Sequence, residues 1–157
     1  MSFSLVSGSA RCALNSESEW EFACRAGSTT TYFWGDDFDP SYVWHGANAR
    51  KSFGINAGTR PGFVNEHDSR FNAFGLQDML GNVKEWCQDD YFGDYRKGPT
   101  SNAPMGQGSG EYRVVRGGSW FQDRSYCRSS DRFKHLPDHV WKDTGARLAV
   151  TIPDPKP

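Results

Sequence analysis

The stretch from Asn72 to Trp86 (Asn-Ala-Phe-Gly-Leu-Gln-Asp-Met-Leu-Gly-Asn-Val-Lys-Glu-Trp) constrains the fold of this chain more than any other. Gly81-Asn82 is a tight-turn signal, because both residue types tolerate a positive φ. Large apolar residues flank the turn, and a carboxylate stands on either side of it, Asp78 before and Glu85 after. A turn of this kind aims the main-chain carbonyls of Gly81 and Val83 the same way as the two carboxylates. Hard oxygen donors so arranged suit Ca2+, so Asp78, Gly81, Val83 and Glu85 are the expected metal ligands. The competing reading is a solvated turn with two surface acids, since short motifs often match by chance.

Around this turn the chain divides into short elements. Ser16 followed by Glu19 is a capping box, which predicts a helix over residues 17–25 that stops at Gly27, with Trp20, Ala23 and Cys24 on its core face. Thr29 to Trp34 is β-rich and predicts a strand. Asp36, Asp37 and Asp39 beyond it lack the spacing of an EF-hand and read as a solvated loop. Residues 42–65 are irregular, with Gly54, Gly58, Pro61 and Gly62 scattered through them. Val83 to Trp86 predicts a strand continuing through Cys87 toward Asp89. Residues 93–110 read as a loop. Arg113 to Arg116 predicts another strand, and Gly117-Gly118 marks a close backbone approach or a bulge. Phe3 and Leu5 alternate with polar residues as a short first strand. Ala146 to Ile152 reads as the last, before a tail, Pro153 to Pro157, that cannot extend a ladder.

A length of 157 residues is that of one domain, and 17 Gly with 8 Pro argue for many turns and little long helix. The net charge of −1 gives no electrostatic case for nucleic acid or an anionic membrane. No apolar run is long enough for membrane insertion. No signal peptide is visible, which makes the cytoplasm the default compartment. Cys12, Cys24, Cys87 and Cys127 contain no CxxC pair, so a zinc knuckle is not expected and the thiols read as free and partly buried.

Three blocks in order carry a resemblance. Leu14 to Gly27, Asn72 to Asp89, and Arg113 to Trp120 with Cys127-Arg128-Ser129 and Gly145-Ala146-Arg147-Leu148 resemble the formylglycine-generating-enzyme, or sulfatase-modifying-factor, family, over most of residues 12–150. The resemblance implies an α+β, C-type lectin-like fold of the formylglycine-generating-enzyme type: irregular, with short strands, few helices, long loops, and first and last strands paired. It implies a single, N-terminally minimal domain over residues 1–152, with a tail at 153–157. It also implies a further calcium ligand at Asn48.

Family enzymes oxidise a sulfatase cysteine through two copper-binding thiolates that follow Gly-Gly-Ser. Here the second falls on Cys127 and the first on Gln122. An amide is a poor ligand for Cu(I), so copper is not expected, and Cys127 alone remains as a candidate catalytic residue. Lys84 stands where the family normally has Trp, Asp90 where it usually has an aromatic, and Ala146 where it usually has Phe. Of His45, His67, His135 and His139, only the last two are close in sequence, and Pro137 between them opposes a helix that would present both to a metal. No Gly-x-Ser-x-Gly elbow is present.

Trp120 to Asp143 lacks a period of either 2 or 3.6 and mixes aromatic, basic, acidic and amide side chains. Such a mixture is the make-up of a paratope. The expected contact residues are Trp120, Phe121, Gln122, Asp123, Ser125, Tyr126, Asp131, Phe133, Lys134, His135, His139, Trp141, Lys142 and Asp143. The pattern resembles a second branch of the family, the variable proteins of diversity-generating retroelements, whose C-terminal segment varies between scaffold positions. The expected function is therefore non-catalytic binding of a protein or other macromolecule. The competing expectations are a copper oxidoreductase acting on protein cysteine and a calcium-stabilised sugar-binding domain. The second of these lacks a Glu-Pro-Asn motif.

Overall fold

The computed structural model describes residues 11–53, 71–92 and 111–151. Along these run β1 (Arg11–Leu14), α1 (Glu17–Arg25), α2 (Gly46–Phe53), β2 (Lys84–Asp90), β3 (Arg113–Arg116), β4 (Arg132–His135), β5 (Thr144–Gly145) and β6 (Leu148–Thr151). Short strands, few helices and long connections make this the α+β architecture that the resemblance implied.

Local chemistry explains α1. The Ser16 hydroxyl accepts from the Glu19 N–H, and the Glu19 carboxylate accepts from the Ser16 N–H at 2.8 Å, which satisfies two donors of the first turn reciprocally. The helix ends on Ala26 at φ +47 and Gly27 at φ +93. Trp20 and Cys24 are fully buried. So is Glu17, whose carboxylate takes the Arg132 guanidinium at 2.5 and 2.7 Å and ties α1 to β4.

β1 and β6 form an antiparallel pair, in register from Arg11–Thr151 to Leu14–Leu148. Among the described residues the first strand is Arg11–Leu14. The expected strand at Phe3 and Leu5 lies outside the described residues, as do residues 54–65 and 93–110 and the tail. A second sheet has the order β4-β3-β2-β5, with β5 parallel to β2. The turn at Gly81-Asn82 locks the molecule together. The Gly81 N–H donates to the Gly117 carbonyl at 2.7 Å, the Asn82 N–H to the Trp44 carbonyl at 2.7 Å, and the Trp120 N–H to the Asn82 carbonyl at 2.7 Å. Trp20, Cys24, Val43, Met79, Leu80, Cys87, Val114 and Cys127 pack around it.

Two expectations are corrected. Thr29 to Trp34 is not a strand but a tight turn closed by a Tyr32–Gly35 bridge. Thr30 Oγ1 donates to the Tyr32 carbonyl at 2.6 Å, and the Thr31 N–H and hydroxyl both donate to Asp36 Oδ1 at 2.9 Å, so local side-chain bonds displace a ladder. Residues 42–65 are not wholly irregular, because α2 begins at Gly46. His45 Nδ1 accepts from the Ala47 N–H at 3.2 Å, and Asn48 Oδ1 accepts from the His45 N–H at 2.7 Å. This is a reciprocal cap without the usual Ser/Thr and Glu, and it engages Asn48, the residue expected to bind calcium. The segment 120–143 holds a 3-10 turn at Arg124–Tyr126 and the edge strand β4, whose consecutive Phe133 and Lys134 are both exposed and so show no alternation. Ala146 is exposed, so the missing aromatic leaves no hole there. Among the described residues no helix is long and apolar enough to cross a membrane.

Candidate functional site

Between Ser119 and Thr144 a few buried anchors separate runs of exposed side chains. Trp120, Cys127, Ser129, His135 and Asp143 are buried. Phe121, Asp123, Ser125, Tyr126, Phe133, Lys134, His139, Trp141 and Lys142 are exposed. Three residues expected to contact ligand are therefore scaffold: Trp120, His135 and Asp143. Gln122 and Asp131 are half-buried. The Gln122 carbonyl accepts from the Gly46 N–H at 2.9 Å, and Asp131 Oδ1 takes Arg128 at 2.8 Å.

The exposed aromatics are held from below. Trp141 stacks on His135 at 4.1 Å with an interplanar angle of 13°, and His135 meets Phe133 at 5.4 Å and Trp86 at 5.8 Å. His139 lies 4.9 Å from Trp141, and Lys142 Nζ sits 3.9 Å above the Phe121 ring. Asp123 Oδ1 caps the 3-10 turn at the Ser125 N–H, 2.9 Å away, and this turn presents Tyr126.

Beneath this surface lies a buried ion pair that sequence reasoning did not find. Lys84 Nζ is 2.9 Å from Asp143 Oδ2, with the two side chains 5% and 6% exposed. Ser119 Oγ donates to the same carboxylate at 2.7 Å. The Lys84 N–H donates to the Asp143 carbonyl at 2.9 Å, so backbone and side chain together pin the 141–144 segment to β2. The available signal was the lysine in place of a tryptophan, a polar departure that needs a buried partner. Burial alone would raise the Asp143 carboxyl, but the hydrogen bonds from Lys84 and Ser119 and the Lys84 charge hold it below its usual range.

Burial, reinforced by the Lys84 ammonium, drives His135 down to about 4. The folded state thus favours neutral imidazole, while the unfolded chain takes up a proton near 6.5. Stability is then fully present above pH 6.5 and is lost as pH falls from there toward 4. At about 1.4 kcal/mol per pKa unit, the expected loss is about 2–3 kcal/mol. Urea unfolding at pH 7 and pH 4.5 should show it, and His135→Gln should flatten the dependence in that window.

The expected metal ligands come together only in part. Asp78, Val83 and Glu85 line a cavity of about 290 Å3, with Arg147 on its wall, and Gly81 is not among the lining residues. Arg147 Nε lies 3.0 and 3.1 Å from the two Glu85 oxygens, Arg147 Nη2 is 2.8 Å from Oε1, and the Trp20 indole N–H donates to Oε2 at 2.8 Å. Asp78 sits at φ +57 and accepts from the Asn82 amide at 3.1 Å. Among the described residues no three His, Cys, Asp or Glu side chains cluster as a metal site. A cation at Glu85 would have to displace a guanidinium already paired there.

Cys127 is fully buried with its Sγ against Gly118, and burial together with the Asp131 charge pushes the thiol up to about 12. Burial also raises Cys24 to about 12 and lifts Cys87 above its ordinary value, whereas Cys12 is exposed. A thiol held protonated is a poor nucleophile. Of the four thiols, only Cys12 should react with Ellman's reagent in the folded protein at pH 8, and the other three should react upon unfolding. Fast labelling of Cys127 in the native state would show that its site opens.

The family model for the sulfatase-modifying factor enzyme 1-like domain matches residues 6–152. The formylglycine-generating enzyme of Streptomyces coelicolor is 33% identical over 145 residues, covering 87% of this chain and 46% of that protein. That of Mus musculus is 33% identical over 148 residues, covering 87% and 38%. The chain thus spans less than half the length of these curated relatives. Among solved structures, Treponema denticola variable protein 1 superposes with a TM-score of 0.69 at 30% identity, covering 87% of this chain and 46% of that one. PvdO from Pseudomonas aeruginosa gives 0.73 at 26%, covering 91% and 54%.

Proposed function

The chain belongs to the family of sulfatase-modifying factor enzyme 1-like domains, and on that premise we propose that it is a non-catalytic binding protein. Its ligand would be a protein or other macromolecule, received by the exposed side chains between Phe121 and Lys142. The observation that carries this reading is the division of the segment into a few buried anchors and the exposed runs between them. The exposed positions fall in runs, the longest at 123–126 and 136–142, set between the buried anchors Trp120, Cys127, Ser129, His135 and Asp143, so contact residues can change while those anchors stay in place, and most such surface changes cost little stability. The likeness to a protein titled variable protein 1 supports the same reading. The exposed positions are those that a diversity-generating retroelement would vary.

The test is a library randomised at Phe121, Asp123, Ser125, Tyr126, Phe133, Lys134, His139, Trp141 and Lys142. Most members should fold with unfolding midpoints within a few degrees of the parent, and selection against an unrelated protein should return binders. A library that mostly fails to fold would overturn the reading. At the gene locus, a reverse transcriptase and a near-copy of the 3′ end are expected. Their absence would remove the retroelement part alone.

The identity to formylglycine-generating enzymes keeps a copper oxidoreductase as the competing reading. It requires a Cu(I) thiolate pair, whereas Gln122 offers an amide and the Cys127 thiol is protonated. Cu(I) titration should find no tight site that Cys127→Ser abolishes.

Calcium belongs to the proposal as a scaffold ion at Asp78, Val83 and Glu85, with Arg147 released from its pair. If it binds there, EDTA should lower the unfolding midpoint by several degrees, and Asp78→Ala should remove that effect. An unchanged midpoint would retire the calcium site and leave Glu85 held by Arg147 and Trp20.

A further inference from the structure

A second cavity, of about 500 Å3, lies on the same face of the four-stranded sheet as Phe133 and His135, and nothing above uses it. It is lined by Leu14, Trp86, Cys87, Gln88, Arg113 and Pro137. Its volume falls within the range of small-molecule sites, about 300–1,000 Å3. The position follows from the β2 pleat. Glu85, Cys87 and Asp89 are buried on one side, while Trp86, Gln88 and Asp90 are half-buried on the other. Arg113 on β3 is in register with Asp90, and the last residue of β1 and the segment after β4 close the rim. Leu14, the Trp86 ring and Pro137 give apolar walls.

Arg113 supplies the polar end. Its contacts, to the Gln88 carbonyl and to Asp90 Oδ1 at 3.1 Å, both use Nη1. A guanidinium carries five N–H donors in a planar fork, so the Nε–Nη2 edge remains, and among the described residues it has no protein acceptor. The side chain is 41% exposed, so the guanidinium is open to solvent. An apolar slot ending in an open guanidinium edge has the chemistry to receive a carboxylate bidentately, with the ligand's apolar body against indole and proline.

We propose that this cavity is a binding site for a small aromatic or aliphatic carboxylate, with Arg113 as the anion-recognising residue and Trp86 as the stacking wall. The Trp86–His135 contact joins it to the display surface, but the site acts whether or not that surface varies.

The probe is 3-phenylpropionate, titrated calorimetrically against the full chain, with the neutral amide 3-phenylpropanamide as control. The expected result is saturable binding of the carboxylate, at least tenfold weaker binding of the amide, and at least tenfold loss of carboxylate affinity in Arg113→Gln. That variant should lose its preference between the two probes. Because Arg113→Gln removes the Asp90 pair, Leu14→Trp provides a second test by filling the slot while leaving the guanidinium. With a native circular dichroism spectrum it should abolish binding of both probes. No carboxylate binding at millimolar concentration, equal affinity for the two probes, or binding that survives either folded variant would overturn the site.

Discussion

Replacing Asp143 by alanine should lower the free energy of unfolding by about 3–5 kcal/mol, the range for breaking a buried ion pair from one side. The cause is what remains. The Lys84 ammonium, 5% exposed, loses its carboxylate, and the fully buried Ser119 loses the acceptor of its hydroxyl. The Phe133 ring, 4.9 Å from Lys84 Nζ, offers only a partial substitute. For a chain of this size the change is roughly 10 °C in the unfolding midpoint. Lys84→Met in the same background should recover most of it, because the double variant leaves no unpaired charge. Denaturant unfolding of the wild type, the two single variants and the double variant closes the cycle. A cost below about 1 kcal/mol for Asp143→Ala would mean that water already reaches Lys84 and that the pair does not anchor the 141–144 segment.

Gly81→Ala should be nearly as damaging, at about 3–4 kcal/mol, from two separable causes. At φ +80 a side chain costs about 1–2 kcal/mol by sterics with its own backbone. A Cβ there would also lie 2.6 Å from the Trp44 carbonyl oxygen and 2.7 Å from Val43 Cγ1, and overpacking of this kind costs about 1–3 kcal/mol. Gly75 isolates the first cause, since it has φ +73 and nothing within 4 Å of its Cβ position. Gly75→Ala should therefore cost only about 1–2 kcal/mol. If denaturant curves give both variants the same loss, the close approach of Gly81 to Trp44 is not what holds the turn in place.

The same contrast separates what could be read from residues from what could not. The cap of α1 was legible because both partners lie within one turn of each other. The Gly81-Asn82 turn was legible because few residue types accept its backbone angles. The α2 cap was not legible, because histidine and asparagine perform it through an unusual exchange. The supposed strand at Thr29–Trp34 gave way to hydroxyl and carboxylate bonds that propensity does not weigh. In the candidate site, residue type placed the right segment but could not divide it. Phe121 and Trp120 are neighbouring aromatics, yet one faces solvent and the other sits under Asn82. His139 and His135 are the same residue, yet one is exposed and the other is held neutral beside Lys84.

The sequence by itself determined the family, the α1 helix, the central turn and the stretch that carries the candidate surface, because each rests on chemistry between residues close in the chain. The tertiary structure alone decided which side chains of that stretch are anchors, and that the Lys84–Asp143 pair holds them. Both are matters of burial, and burial comes from segments far apart in the chain meeting across the sheet.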